Sequence, residues 1–333
     1  MFGYIVRRLF AALLVLILTS MTVFAIFYLG PKNPAKPLCE KQQRCTPEKL
    51  ARLERSMGLD KPVHTAYGDW AKGLFVGRTV EYSDTESYEC GAPCLGISYR
   101  NNREVTSELA QRYPATLSLA IGGALIYLSV GVVAGVFAAR YRGTFIDRAL
   151  VTSTLVVSAI PYYLVALLAW IFLTQKYGVF SDTTYHPFLD NPITWASGML
   201  LPWLVLGLTN ATQYSRYTRG QMVETLGEDY IRTAVAKGQK ENVVVFRHAL
   251  RAAIIPVVTI FGLDFATLLG GTVFTEYIFD IEGMGRWALG AVIGVVDIPV
   301  VTATVLVAAA FIVISNLVVD VVYSFLDPRV RLA

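Results

Sequence analysis

The sequence predicts an all-α membrane protein with six transmembrane helices and an external insertion between the first and second helices. Three observations support this fold class. Hydrophobic residues make up 54% of the 333 residues. Charged residues make up only 16%, below the roughly 25% of typical soluble domains. Apolar runs of transmembrane length recur along the chain, and basic residues gather at their ends, as in multi-pass membrane proteins.

Six apolar runs are each near the roughly 20 residues that a helix needs to cross a bilayer. We expect the first to be an uncleaved anchor, because it is long for a signal peptide and lacks a clear cleavage site. Pro161, Pro202 and Pro256 lie in the third, fourth and fifth runs. Each is expected to kink its helix, which suits a gate but is also routine in membrane helices. The runs are residues 9–29, 115–139, 149–174, 193–214, 252–275 and 298–319.

Basic residues at the ends of these runs predict the orientation. With six spans they all fall on one side of the membrane, so both termini are predicted to be cytosolic. Nucleic-acid binding is a poor alternative, because the basic residues lie at span ends rather than in a groove-sized stripe. The clusters are Arg7 and Arg8; Arg140, Arg142 and Arg148; Arg216, Arg219, Arg232, Lys237, Lys240, Arg247 and Arg251; and Arg329 and Arg331.

Residues 30–112 form the external insertion. Thr46 and Pro47 open a helix that Gly58 ends, since Thr favours the N-cap, Pro the first turn and Gly the position past the C-terminus. The rest is polar and is expected to have little regular structure. The insertion is interpreted as a lid or docking surface, and a passive loop is the alternative.

All four cysteines lie in this external segment, and an even number on the oxidising side favours disulfides. Local pairs, Cys39 with Cys45 and Cys90 with Cys94, are the simplest of the three possible pairings. A cross-link between the two halves would restrict more of the unfolded chain. A metal site is less favoured, since His64 is the only histidine in the segment.

The link between the fourth and fifth spans contains a short amphipathic helix, predicted over residues 225–238. Thr225 and Glu228 have the spacing of a capping box, and Gly238 occupies a helix C-terminal position. An apolar stripe carried into the cytosol needs a surface to pack against, so the helix is predicted to dock on another protein. The stripe contains Leu226, Tyr230, Ile231, Ala234 and Val235.

Residues 280–297 are rich in glycine and too broken for a full span. Such a segment suits a re-entrant or surface-lying helix.

Asp264 is the most conspicuous acidic residue inside an apolar run. Its burial in ionised form is costly, so it is expected to face protein or a wet cavity. It could line a translocation path with Thr267, Gly270 and Gly271, or form a hydrogen bond at a helix interface. The glycine pair also permits close helix packing.

Catalytic machinery is not evident in the sequence. There is no HExxH motif, and His64, His186 and His248 lie in different segments. Residues 73–79 resemble a phosphate loop but lack one spacer residue and the lysine. The chain is therefore predicted to be neither an enzyme nor a metal or cofactor protein, and any ATP hydrolysis must come from another subunit.

Several motifs together carry a family resemblance. Residues 232–238, RTAVAKG, resemble the EAA loop of ABC-importer permeases, and the flanking segments are similar to the dipeptide/oligopeptide/nickel branch, in particular its B-type subunit. Arg232 stands where the general pattern has Glu, Glu282 replaces a common proline, and residues 86–96 look like an insertion. Asp264 occupies a position that often carries an amide. Further matching motifs, in order, are YIVRRL, GLDKP, RYPATLSLA, IFDIEGMGR and LDPRVR.

The resemblance implies a type I ABC importer permease fold and a transport subunit without its own motor. The expected cargo is dipeptides or oligopeptides, with nickel or another chelated solute as the alternative; a secondary carrier is the alternative from a different class. The implied partners are a paralogous permease, two cytosolic ATPases that bind ATP and Mg, an extracytoplasmic substrate-binding protein and membrane lipid. The expected segments are an N-terminal helix (1–29), the insertion (30–112), the permease core (113–327) and a cytosolic tail (328–333). The expected ATPase-coupling residues are Tyr230, Arg232, Thr233, Ala234, Lys237 and Gly238.

Overall fold

The structure, a computed structural model, describes residues 2–29, 33, 35–41, 45–81 and 87–326. The predicted cytosolic tail and most of the closing LDPRVR motif lie outside these residues. The helices are α1 Phe2–Leu29, α2 Ala35–Lys41, α3 Pro47–Ser56, α4 Val63–Val76, α5 Val105–Arg140, α6 Phe145–Ala159, α7 Tyr162–Ala169, α8 Pro192–Leu226, α9 Asp229–Ala236, α10 Glu241–Val243, α11 Leu250–Leu269, α12 Val273–Ile278, α13 Met284–Val292 and α14 Ile298–Leu326. Wider π-helical turns, Trp170–Lys176 and Val244–Ala249, follow α7 and α10, and strands β1 Arg78–Glu81 and β2 Ser87–Cys90 pair antiparallel.

Five stretches of helix in the described chain are long and apolar enough to cross a membrane, and a bent pair makes a sixth. The bent pair corresponds to the third predicted span. It turns by 91° between Ala159 and Tyr162, so the chain bends at Pro161 as expected, and the bend interrupts the helix. Pro161 lacks an N–H and keeps the preceding Ile160 out of the helical conformation, at φ −86° and ψ 127°. Pro202 and Pro256, in contrast, lie inside continuous helices.

The fifth span also differs from its predicted limits. Its helix ends at Leu269 instead of continuing to residue 275. Gly271 adopts φ +124°, a conformation open mainly to glycine, and the chain restarts as the short α12.

Contacts divide the chain into two units. The first contains Met1–Pro114 and Gly283–Val313, and the second contains Ala115–Glu282 and Ile314–Ala333. A division near residue 113 is what the apolar pattern suggests. The grouping of 283–313 with the N-terminal part has no counterpart in the sequence analysis.

The external segment of the first unit has more structure than expected. Thr46 caps α3 by accepting the Lys49 N–H at 3.3 Å, and Gly58 follows the helix at φ +70°, both as predicted. The rest is not a loop, because α4 and the β1–β2 hairpin fall within it. Helix α4 buries Trp70 against Phe24 of α1. This tertiary packing stabilises α4, and the polar composition of the segment gave no sign of it.

The cysteines pair locally, Cys39 with Cys45 and Cys90 with Cys94. The segment after the second disulfide is held to α13 within the same unit. Arg100 donates to the carbonyl oxygens of Gly290 and Val295, at 2.6 Å and 3.0 Å, beside the C-terminus of α13. A cation is favourable there because it offsets the negative end of the helix dipole.

Replacing Cys90 and Cys94 together by serine should loosen the hairpin without unfolding the chain. For so short a loop, chain entropy predicts a loss of about 2 kcal/mol. Hydrogen exchange should therefore accelerate in residues 87–106 of the variant. The paired substitution of Cys39 and Cys45 is the matched control and should leave that segment unchanged. Equal protection of residues 87–106 in both variants would contradict the expectation.

The second unit has its core between α5 and α8. Glycines on α5 let the two backbones approach closely, as small residues do in membrane helix pairs. A Cβ on Gly131 would lie 2.5 Å from Cβ of Tyr214, and one on Gly135 would lie 2.6 Å from the Ser215 carbonyl oxygen. This interface positions α8, the helix that leads into α9.

Candidate functional site

The short helix predicted over residues 225–238 is α9, and its N-terminus differs from the predicted one. Thr225 belongs to the last turn of α8, and Glu228 precedes α9 without a side-chain capping bond. The capping-box prediction was therefore wrong, because α8 continues to Leu226 and Thr225 is part of that helix rather than an N-cap. The predicted C-terminus is present: Gly238 has φ +73°. Its N–H donates to Val235 at 2.9 Å, and Gln239 donates to Ala234 at 3.3 Å, which is the Schellman pattern.

Helix α9 has two apolar faces rather than one stripe. Ile231 and Ala234 are buried, at 2% and 8% exposure. Tyr230 and Val235 point outward, at 47% and 58%. The inward pair packs on α5, α8, the second π-helical turn and α11, against Val136, Ala139, Met222, Val244, Val245, Ala249 and Ala253.

One face of α9 therefore holds the helix to the rest of the chain, and the other face is exposed. Ala234, one of the expected contact residues, anchors the helix to its own chain and is not open to a partner. The other five expected residues are exposed on or beside α9: Tyr230, Arg232, Thr233, Lys237 and Gly238. Val235 was not in the expected set. Its side chain, at 58% exposure, is more exposed than that of Tyr230, at 47%.

Electrostatics on the displayed face are weak. Arg232 contacts Asp229 at 3.4 Å, but both side chains are largely exposed, so the pair contributes little. Partial burial, followed by the nearby Glu228 carboxylate, raises the pKa of Tyr230 above its ordinary value. Tyr230 is therefore a neutral hydroxyl at physiological pH.

Two ion pairs hold the helix ends beneath α9. Arg140, the last residue of α5, contacts Glu241 at 3.0 Å. Asp147 near the start of α6 is 5% exposed and accepts from Arg219 of α8, at 2.7 Å to Nε and 2.9 Å to Nη2. The Gly143 N–H donates to the same carboxylate at 2.9 Å. Sequence analysis placed Arg219 among the orientation charges and missed this pair, which the fold brings together across 72 residues.

Asp264 lies between α11 and α8. Its carboxylate accepts from the hydroxyl of the buried Tyr214 at 2.8 Å. Thr267 is exposed and donates to the Asp264 carbonyl of its own helix at 2.7 Å. Gly270 and Gly271 form the break after α11. Of the two roles considered for Asp264, the geometry supplies the hydrogen bond at a helix interface.

An open cavity with a mixed polar and apolar lining lies where the third span bends. It measures about 490 Å³ and lies between the α6–α7 break and α8. Arg216 reaches the Ser158 hydroxyl at 3.0 Å across it. No motif marked these residues, because their polar side chains are scattered through apolar runs and converge only in the fold. The polar lining consists of Ser158, Thr209, Asn210, Thr212, Gln213 and Arg216.

Within the described residues, no group of three or more His, Cys, Asp or Glu side chains has the arrangement of a metal site. Two features could serve a function: the exposed face of α9 and the open cavity between the α6–α7 break and α8.

Comparison with known sequences decides the family. Residues 131–332, more than half of the chain, match the binding-protein-dependent transport system inner membrane component. The chain belongs to this family. Residues 1–120 match the N-terminal part described for the same transport-system membrane component. The permease therefore has the type I ABC importer permease fold and is a multi-pass protein of the inner membrane.

Full-length relatives support the same assignment. The permease is 34% identical over 331 residues to a protein of Brucella abortus (strain 2308) named for a peptide transport system permease, with 99% of each chain covered. It is 34% identical over 353 residues to the dipeptide transport system permease protein DppB of Alkalihalophilus pseudofirmus, covering 99% of this chain and 100% of the relative. It is 35% identical over 358 residues to DppB of Escherichia coli (strain K12), with 99% of each chain covered.

Proposed function

We propose that the permease forms half of the translocation path of an ABC importer for dipeptides and oligopeptides. A paralogous permease supplies the other half, and an extracytoplasmic binding protein delivers cargo. Two cytosolic ATPases bind ATP and Mg and perform the hydrolysis, so this chain is a non-catalytic subunit. The names of the full-length relatives support peptide cargo over the nickel alternative.

The observation that supports the coupling role is that α9 has one buried face, which packs on the chain, and one exposed face. Ile231 and Ala234 fix the helix to the ends of α5, α8 and α11, while Tyr230 and Val235 face outward. A rigid helix seated in a groove of an ATPase moves with that groove. Because its inner face is packed on the bundle, the movement passes to the spans and biases two packings of the bundle.

The polar side chains around this face complete the proposed contact. Arg232 and Lys237 are exposed, and in the proposal they pair with acidic residues at the rim of the ATPase groove. Gly238 turns the chain sharply where it leaves the groove. Both termini are cytosolic in this arrangement, and the insertion of residues 30–112 faces outside. In the proposal, Asp264, Thr267, Gly270 and Gly271, at the end of α11 and the break after it, line the translocation path.

Replacing Val235 by aspartate should uncouple the permease from its ATPases. The side chain is 58% exposed, so the substitution should change the free energy of unfolding very little. A charge that faces an apolar groove, in contrast, weakens docking. A central contact residue is worth about 2 kcal/mol or more, or roughly thirtyfold in affinity. Co-purification of the ATPases and peptide uptake should both fall.

Phe145→Ala is the matched control, since Phe145 is 84% exposed in the same unit but lies outside α9. It should leave co-purification unchanged. Gly238→Trp adds an independent test: the space around its Cβ is open, so the substitution acts through backbone strain and bulk at the exit turn. The coupling assignment fails if the ATPases and uptake both survive Val235→Asp and Gly238→Trp.

A further inference from the structure

We propose that Arg216 binds the α-carboxylate of the peptide as it passes the cavity at the α6–α7 break. The inference rests on the proposed peptide-import function and deepens it by naming a residue and a chemical group of the cargo. Its starting point is a cation on a membrane-spanning helix that has no carboxylate partner among the described residues.

The contrast with Arg219 shows why this is informative. The two arginines are three residues apart on α8, and Arg219 is neutralised by a bidentate contact with Asp147. Arg216 instead makes one hydrogen bond, to the neutral Ser158 hydroxyl, and is exposed to the cavity. Arg216 lies two residues beyond the predicted fourth apolar run, and its guanidinium contacts Ser158 of the third run, so the cation lies where α8 faces the α6–α7 break.

The proposal places the cargo route along the cleft between the α6–α7 break and α8, where Arg216 lies. It is about 15 Å along the helix axis from Leu226, the cytosolic end of α8, at roughly 1.5 Å per residue. A planar guanidinium suits a carboxylate because it presents two parallel N–H donors. Release of the Ser158 contact would free Nη1 for that purpose.

The other polar side chains of the lining can accept hydrogen bonds, and none of them is charged. Thr209, Gln213 and Arg216 lie in one row on α8, since their spacing of four and three residues places them on one helical face. The Asn210 amide donates to the Leu206 carbonyl at 2.7 Å, which leaves its oxygen as an acceptor. Acceptors beside a single cation suit a zwitterionic chain, with the ammonium group near the amides and the carboxylate at Arg216.

Thiol labelling in the assembled complex with its partner permease and ATPases tests the site directly. Ala159 lines the cavity, and Ala159→Cys places a thiol there. All four native cysteines are in disulfides, so it is the one free thiol of this chain. Dialanine should slow its reaction with a neutral thiol reagent. Dialanine amide, which lacks the carboxylate, should need about a tenfold or greater concentration for equal protection.

The second variant isolates the charge. Adding Arg216→Gln should abolish the difference between dialanine and its amide, whereas Arg216→Lys should keep part of it. Arg142→Gln, an exposed arginine outside the cavity, should change nothing. Equal protection by both peptides, protection that persists in Arg216→Gln, or no protection by either peptide would each overturn the assignment. Peptide uptake by the unmodified complex is measured in parallel: its absence refutes the proposed function, whereas uptake without protection refutes only the role of Arg216.

Discussion

Asp147→Asn should lower the free energy of unfolding of the permease by about 3 kcal/mol. This is the lower end of the roughly 3–5 kcal/mol that breaking a buried ion pair costs. The side chain of Asp147 is 7% exposed and that of Arg219 is 30% exposed. Asparagine keeps the shape but removes the charge, so the guanidinium is left with a poorer acceptor while it remains largely out of water. The partial exposure of Arg219 explains why the loss stays at the lower end.

The same substitution should also impair transport at temperatures where the fold survives. Asp147 ties the start of α6 and the Gly143 turn to α8, and α8 leads directly into the displayed helix. Loss of this tie should let α9 move without carrying α6 with it. ATPase activity of the assembled complex should therefore continue while peptide uptake falls.

Thermal unfolding in detergent and uptake in proteoliposomes measure the two effects. Asp190→Asn is the matched control, because Asp190 is exposed in the same unit and should leave both unchanged. Arg219→Gln should resemble Asp147→Asn, and the double variant should cost less than the sum of the two, since the residues act as one pair. Additive losses would show that the ion pair is not the stabilising feature.

How far the sequence predicts this fold depends on whether the signal is local. The apolar runs predicted the spans because membrane length and hydropathy are properties of one segment. Gly238 was found because a positive φ selects glycine whatever the tertiary context. The Thr46 cap of α3 was found because its side chain accepts a hydrogen bond from a backbone N–H only three residues away.

The failures involve contacts between distant segments. The apolar stripe of α9 predicted one docking face, but Ala234 packs on the chain's own helices while Val235 does not. Periodicity shows which residues share a helix face, not which neighbour covers it. The buried carboxylates of Asp147, Glu276 and Asp297 were missed likewise, because the partners of Asp147 and Asp297 lie up to about 200 residues away in sequence.

Gly135→Leu should prevent α5 and α8 from packing as closely as they do. A Cβ at Gly135 would meet the Ser215 carbonyl oxygen and the Thr218 Cβ, both at 2.6 Å, and the Arg219 nitrogen at 3.0 Å. Two of these are backbone atoms of α8, so no rotamer change relieves the contact. Overpacking typically costs about 1–3 kcal/mol and occasionally more, and a leucine adds three carbons beyond the Cβ that already clashes.

A glycine on the facing helix supplies the matched control. Nothing lies within 4 Å of a Cβ built on Gly220 of α8, so Gly220→Ala should stabilise the helix by up to about 1 kcal/mol through propensity alone. Thermal unfolding of the two alanine variants should thus move in opposite directions, with Gly135→Ala lower and Gly220→Ala higher than the parent. Gly135→Leu should, in addition, reduce the amount of folded chain recovered from membranes. If Gly135→Ala raised the unfolding temperature as Gly220→Ala does, helix propensity would outweigh packing, and the close approach of α5 to α8 could not be what fixes the position of α9.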